Sequence, residues 1–152
     1  MLQGERFALA HNNDKGDDRR TVKMEEEFFV YAVSRAVFLI GIVGKEHPEY
    51  LDLLNQIDKA VGLKSIKDLR DMRTHIDAYE AGTGRNQSDF MHSYVPQISC
   101  APTATIILGE NYLIGGRLNA MPTILLFKSL LPKIIKLENQ IRTASDGCRD
   151  AN

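Results

Sequence analysis

The sequence predicts a mainly α-helical protein, a four-helix bundle with one β-hairpin inserted before the last helix. In four separate segments, apolar residues recur three or four positions apart, which is the spacing of one face of an α-helix. A short run rich in β-branched residues is interrupted by a turn signal, which is the pattern of two strands joined by a tight turn. Four amphipathic helices with short or moderate connections bury their apolar faces best as a bundle.

The composition is typical of a globular protein with one domain. The chain has 152 residues, of which 43% are hydrophobic and 26% charged, and its formal net charge is -1. This length suffices for one sizeable core. The near-neutral charge excludes a chain-wide basic field, so an RNA-binding surface would need a local cluster of basic residues. No apolar run approaches the ~18 residues of a membrane span, so we expect no membrane association.

The cysteines and histidines do not have the spacing of a metal site. Cys100 and Cys148 are far apart in the sequence, and neither pairs with a nearby histidine in a metal-binding pattern. Two remote cysteines are typical of free thiols in a reducing compartment rather than of a disulfide. We therefore expect a cytoplasmic protein with free thiols and with neither a metal nor another cofactor.

The N-terminal part divides into an arm and a first helix. Residues 1–16 are polar and lack periodicity, which predicts a flexible arm. Acidic residues at 17 and 18 suit the start of a helix, and Gly44 suits its end after Val43. The residues predicted to form its buried stripe lie three or four apart: Phe28, Tyr31, Ala32, Ala36, Leu39 and Val43.

Two further helices follow. Pro48 fits the first turn of the second helix, and Gly62 marks its end. Ser65 with Asp68 resembles a capping box for the third helix, which Gly82-Thr83-Gly84 terminates. The predicted core stripe of the third helix comprises Ile66, Leu69, Met72, Ile76 and Tyr79.

The next segment predicts a long connection and then a hairpin. Residues 85–104 contain Pro96 and Pro102 and show no helical periodicity, so we expect an irregular loop. The hairpin is predicted at about 105–114, with its turn at Gly109-Glu110-Asn111. An isolated hairpin is marginally stable, so this one must pack on the helices or on a partner chain.

The last helix is predicted between residues 119 and 143. Asn119 is its candidate N-cap, and Pro132 lies inside it, where it should introduce a kink. The helical domain therefore covers residues 17–143 and includes the hairpin. Residues 144–152 are polar and predict a flexible tail.

The first and last helices carry more apolar residues than one core needs. A bundle core covers one stripe of each helix, and surplus apolar surface is typically buried against a partner. These residues therefore predict a homodimer. The surplus comprises Phe28, Phe29, Tyr31 and Phe38 on the first helix and Leu125, Leu126, Leu130 and Leu131 on the last.

The third helix concentrates the residues with potential chemistry. On a regular helix, Asp71, His75 and Tyr79 lie four apart and share a face. Asp71 would hold one nitrogen of the His75 ring and raise its basicity, while Tyr79 would support the other side. Arg70 points about 140° away from His75, so a shared site needs a distorted backbone or a second chain. Arg73 faces the core, either with its head reaching solvent or paired with a buried carboxylate.

The segment 70–75, with the sequence Arg-Asp-Met-Arg-Thr-His, resembles the Arg-polar-x3-His signature of the HEPN superfamily. The resemblance covers roughly residues 17–82 and 119–142. It implies a bundle of four or five helices, a fold that this family places in prokaryotic toxins, defence systems and RNA-processing proteins. Many such proteins act as metal-independent RNases in which two signatures face each other across a dimer interface.

The resemblance also implies residue roles. His75 would be the general base or acid, Arg70 would stabilise charge on the scissile phosphate, and Asp71 would orient the site. The chain departs from the family pattern in three ways. Tyr79 lies four residues after the histidine rather than two, and the hairpin before the last helix is an addition to the simple bundle. The residues around His75 also form no basic patch, since Asp71, Asp77 and Glu80 are acidic.

Two functions follow from these observations. The first is a dimeric binding or regulatory module, whose third helix and residues 83–104 meet an unidentified partner. The second is a metal-independent RNase of the toxin or defence type that uses Arg70 and His75, with RNA as its ligand. An exposed Asp-His pair on a helix is ordinarily a small stabilising contact of about 0.5 kcal/mol. The geometry around His75 therefore has to decide between the two functions.

Overall fold

The structure, a computed structural model, describes residues 19–96 and 98–149. This part of the chain is mainly helical, with short strands in two antiparallel sheets. The predicted arm, residues 1–16, lies outside the described residues. The helices are α1 (Arg19–Val43), α2 (Glu49–Val61), α3 (Leu63–Thr74), α4 (Ile76–Glu80) and α5 (Ala120–Arg149).

The strands lie between α4 and α5. They are β1 (His92–Val95), β2 (Ile98–Cys100), β3 (Thr105–Leu108), β4 (Asn111–Ile114) and β5 (Leu118–Asn119), preceded by one 3-10 turn at Gln87–Asp89. β1 pairs with β2, and β4 lies between β3 and β5. The predicted hairpin at 105–114 is confirmed as β3 and β4. Its turn contains two residues, because Leu108 lies opposite Asn111.

The prediction of a single hairpin was wrong, because β1 and β2 form another within the predicted irregular loop. These strands contain four and three residues, too few to show a clear alternation of apolar and polar positions. Pro96, between them, also reads as a strand breaker rather than as part of a hairpin loop.

The core lies where the helices meet the three-stranded sheet. α1 packs against α2 and α3, while α5 packs against α2 and against β4 and β5. Each fully buried aliphatic side chain contributes about 1.5–3 kcal/mol relative to exposure. The most deeply buried members of this core include Ile57, Ile66, Leu69, Ile114, Leu118 and Leu130.

The predicted core stripe of α1 was largely wrong. Phe28 and Tyr31 are 51% and 62% exposed, and Leu39 is exposed as well. Val43 is partly buried and packs against the core, as predicted. The fully buried residues of α1 are instead Glu26, Phe29, Val30, Val33 and Ile40. α1 carries two apolar stripes on roughly opposite sides, and periodicity alone does not show which of them faces the core.

The predicted third helix differs at both ends. It begins at Leu63, whose N–H donates to the carboxylate of Asp58 at 2.8 Å, so Ser65 and Asp68 do not form a capping box. Asp68 instead pairs with Lys64. The helix also breaks at His75, where φ is -118° and ψ is 36°, so α3 and α4 are separate helices.

The last helix begins at Ala120, as predicted, although its predicted cap was wrong. The Asn119 side chain donates to Asn111 Oδ1 at 2.6 Å, and its own oxygen has no hydrogen-bond partner among the described residues. α5 contains Pro132 and continues past residue 143, where the sequence predicted a tail, to Arg149.

Candidate functional site

Arg70 and Asp71 form a pair on the exposed side of α3. The Arg70 Nη2 and Nε groups both donate to Asp71 Oδ1, the latter at 3.1 Å. About 45% of the Arg70 side chain and 36% of the Asp71 side chain are exposed. The carboxylate that the sequence assigned to His75 therefore serves the neighbouring arginine.

His75 occupies the junction between α3 and α4. Its backbone N–H donates to the carbonyl of Asp71 at 3.1 Å, and its own carbonyl accepts the N–H groups of Ala78 and Tyr79. The side chain is exposed. Within residues 19–96 and 98–149, the imidazole makes no hydrogen bond. The helix break therefore removes the shared face of Asp71, His75 and Tyr79, and nothing in this part of the chain orients the ring.

Tyr79 is an anchor for the segment that follows α4. It is buried, and its ring stacks on Phe90 with centroids 5.6 Å apart. Its hydroxyl accepts the Asn86 N–H at 3.2 Å, and its carbonyl accepts the Gln87 side-chain amide at 2.9 Å. A Cβ at Gly84 would overlap the ring, so this position requires glycine. Tyr79 thus has a structural role that is independent of the His75 side chain.

Arg73 is paired with a buried carboxylate, which is one of the two arrangements predicted for it. The other was a head group that reaches solvent. Its Nη2 lies 3.3 Å from Glu26 Oε2, and its Nε donates to the Pro102 carbonyl at 2.8 Å. The Glu26 Oε1 atom accepts the hydroxyls of Tyr112 at 2.7 Å and Thr105 at 2.6 Å. The cluster therefore joins α1, α3 and the β3–β4 hairpin.

Sequence reasoning missed Glu26, because it stands between Glu25 and Glu27 and nothing local distinguishes it. Burial, and then the hydrogen bond and charge of Glu26, raise the pKa of Tyr112 well above its usual range. Tyr112 is therefore a neutral donor to the carboxylate. Both partners of the Arg73–Glu26 pair are almost fully buried, so the main role of the cluster is to hold the fold together.

An open groove of about 360 Å³ runs between α1 and α3. Arg70 and Arg73 both reach it, and each is already paired with a carboxylate. Glu27 adds a further negative charge. The groove therefore offers aromatic and aliphatic surface rather than an unpaired cation. Its lining comprises Met24, Glu27, Phe28, Val30, Tyr31, Arg70, Arg73 and Thr74.

A second cluster surrounds Cys100, which is a free thiol, as predicted. The β1–β2 register places His92 opposite Cys100. Arg117 lies nearby, donating to Met72 Sδ at 2.9 Å and to the Asp89 carbonyl. Burial raises the pKa of the Cys100 thiol, and burial together with Arg117 lowers the pKa of His92. The pair is thus a neutral thiol and a neutral imidazole, which is not an activated nucleophile.

In the described ranges, no three His, Cys, Asp or Glu side chains are grouped in a way that could hold a metal ion. None of the helices there combines the length and the apolar character that crossing a bilayer requires. Comparison with protein-family models, with curated proteins and with solved structures found no match. Inferences about function therefore depend on the geometry of this chain.

Proposed function

We propose that the protein is a binding or regulatory module with a HEPN-like helical bundle, and that it acts as a homodimer through its exposed apolar surface. The supporting observation is the large apolar side chains that α1 and α5 leave in solvent, each between 41% and 62% exposed. They are Met24, Phe28, Tyr31, Phe38, Leu39 and Ile42 on α1 and Met121, Leu125, Leu131 and Ile135 on α5.

Binding fits these surfaces better than catalysis does. A contiguous exposed apolar surface typically marks a protein–protein contact. The arginines of the α1–α3 groove are each paired with a carboxylate, which weakens the positive field that a phosphate backbone would need. No carboxylate among the described residues orients His75. The ligand class with the closest chemical fit is therefore an apolar protein surface.

Sedimentation velocity of the full chain at micromolar concentration tests this proposal. We expect the mass of a dimer for the wild type and of a monomer for the double variant Phe28→Asp/Tyr31→Asp, because burying two new carboxylates between subunits is unfavourable. Ile107→Asp is the matched control, since Ile107 is 53% exposed but lies on β3. A monomeric wild type, or a dimer that survives both charges, would contradict an interface that includes α1.

The alternative, a metal-independent RNase, is favoured by one specific observation. Arg70 and His75 are both exposed near the end of α3, and in the described part of the chain no hydrogen bond occupies the imidazole. A substrate would therefore find both groups accessible. The HEPN resemblance supplies their roles, with His75 transferring a proton and Arg70 stabilising charge on the phosphate.

Purified protein with unstructured RNA tests the alternative. Cleavage should be lost in His75→Ala and Arg70→Ala, be partly restored in Arg70→Lys, survive EDTA, and show a bell-shaped pH profile. Lys67→Ala, which removes another exposed cation from α3, is the control and should retain full activity. Equal cleavage by the wild type and His75→Ala would exclude this function.

A further inference from the structure

The outward face of α1 carries a helical repeat of its own. Its members are separated by four, three, four, three and four residues, the alternation with which a coiled coil spaces its seam positions. All six are exposed. We call this set the α1 seam: Met24, Phe28, Tyr31, Arg35, Phe38 and Ile42.

The core-facing side of the same helix has the matching repeat. Glu26, Val33 and Ile40 are seven residues apart and buried, and each lies two residues from a seam position. Two residues correspond to about 200° around a helix, so the seam and the core side are on opposite faces. The α1 seam is therefore a second packing face with the pattern of a helix–helix contact, and this chain leaves it in solvent.

The order of residues in the seam is symmetric about Val33. Met24 and Ile42 are equally distant from it in the sequence, and so are Phe28 and Phe38. Tyr31 and Arg35 make up the third pair. When the helix direction is reversed, apolar positions coincide with apolar positions in the two outer pairs, and Arg35 coincides with Tyr31 in the central pair. A two-fold interface requires this self-complementarity, since each subunit presents the same surface.

Arg35 determines the orientation. Its guanidinium lies over the Phe38 ring, 5.2 Å from the centroid. A parallel pair would place two Arg35 side chains at the same level of a desolvated seam, where like charges are costly. An antiparallel pair places each Arg35 opposite Tyr31 of the partner subunit, where a cation–π contact is favourable. Glu27, one turn before Tyr31, supplies a carboxylate nearby.

We infer that the α1 seam pairs with the α1 seam of a second copy of this chain, antiparallel, about a two-fold axis near Val33. The inference rests on the proposed homodimer and assigns its interface to α1 rather than to α5. Residues 24–42 span about 27 Å, five helical turns. The core already holds this helix in shape, so pairing does not have to nucleate it. Ala32 and Ser34 flank the axis, and both are small enough for close approach.

Disulfide cross-linking of engineered cysteines tests the orientation, in a Cys100→Ala/Cys148→Ser background. Mixing Phe28→Cys chains with Phe38→Cys chains should give a cross-linked heterodimer. Each variant alone should cross-link little, because the two copies of residue 28 would lie about 15 Å apart along the axis. A disulfide needs Cα atoms within about 7 Å. Leu125→Cys, on α5, should not cross-link to itself.

A second pair of variants tests the centre of the seam. Mixing Tyr31→Cys chains with Arg35→Cys chains should also give a cross-linked heterodimer, because the antiparallel arrangement places residue 31 of one copy opposite residue 35 of the other. Self-linked Phe28→Cys without the mixed product would indicate a parallel seam and overturn the inference. So would a wild-type dimer that shows no cross-link at any α1 position or that links through Leu125→Cys. A monomeric wild type would overturn the proposed function itself.

Discussion

Glu26 accepts hydrogen bonds from Tyr112 and Thr105 on one oxygen and faces Arg73 with the other, at 3% exposure. A carboxylate removed from water is tolerated only when its oxygens are paired and hydrogen-bonded, and the same holds for the guanidinium opposite it. The pair connects α1 with α3, and the two hydroxyls connect it with the hairpin. One side chain therefore determines how three elements fit together.

Removing this carboxylate should destabilise the protein strongly. In Glu26→Ala the Arg73 charge stays buried without its partner, and we expect a loss of about 3–5 kcal/mol in the free energy of unfolding. Urea denaturation followed by circular dichroism measures the change. Glu27→Ala, which removes an exposed carboxylate one position later, should alter stability by less than about 0.5 kcal/mol. Similar losses in the two variants would show that the buried pair is not what stabilises this junction.

Cys100 should be an unreactive thiol in the folded protein. Burial raises its pKa, although Arg117 and Arg73 oppose the rise, so little thiolate forms at neutral pH. In a Cys148→Ser chain, we expect native Cys100 to react with a thiol reagent at least tenfold more slowly than the urea-unfolded chain does. Equal rates in the two states would contradict its burial.

The same shift predicts how stability depends on pH. The folded-state pKa of Cys100 lies above the unfolded value of about 8.5. The contribution of the Cys100 thiol to the free energy of unfolding is therefore complete below the unfolded pKa, and it is lost as the pH rises through the folded pKa. Urea midpoints of the Cys148→Ser parent should fall between pH 7 and 10. They should fall less when Cys100→Ala is added to that parent. A parallel fall in the two proteins would mean that other groups account for it.

Two glycines in the β3–β5 region separate two reasons why a position requires glycine: a positive φ, and a lack of room for a Cβ atom. Gly109 and Gly115 both have positive φ, 59° and 61°. A Cβ at Gly109 would meet nothing within 4 Å, whereas at Gly115 it would overlap Leu69 and approach the Pro102 carbonyl to 3.2 Å. Gly109→Ala should therefore cost about 1–2 kcal/mol through φ alone. Gly115→Ala should cost clearly more, and urea midpoints of both variants test this. Equal costs would show that Leu69 moves aside freely.

Local signals in the sequence predicted local structure. Pro48 and Gly62 bracket α2, and the glycine turn specified the β3–β4 hairpin, because each feature depends on the backbone preferences of one or two residues. The break at His75 was not predictable in this way. Its apolar neighbours continue the helical spacing, and the break accompanies the burial of Tyr79 against Phe90 and Gly84, which only tertiary structure shows.

The exposure of the candidate residues was predictable from the sequence, whereas their arrangement was not. Sequence reasoning identified Arg70, Asp71 and His75 as exposed polar residues of one segment, and they are exposed or half-buried. It paired Asp71 with His75, whereas the structure pairs it with Arg70. Asp71 precedes His75 by about one helical turn, but α3 ends at His75, so this spacing did not determine whether Asp71 pairs with His75 or with Arg70. The Arg73–Glu26 pair joins residues 47 positions apart, and no local pattern encodes such a contact.

If the molecule is a homodimer, its thermal stability should depend on concentration. Association that requires the folded state adds stability by mass action, so the wild-type melting temperature should rise as the protein is concentrated. We expect an increase of a few degrees over a hundredfold range of concentration, measured by scanning calorimetry. The Phe28→Asp/Tyr31→Asp variant should melt at one temperature throughout. A wild-type melting temperature that does not change with concentration would count against a folded dimer.

If the homodimer forms through the α1 seam, the two opposed faces of α1 leave this helix little freedom to vary. Its core side contains Phe29 and three aliphatic residues that face α2 and α3, together with Glu26, which also binds the hairpin. Its outer side contains the α1 seam. Most helices at a protein surface tolerate replacement over half of their circumference. Here only the narrow strips between the two faces would tolerate it. Among relatives of this chain, α1 would accordingly be the slowest-changing helix, although much of it is exposed in the single chain.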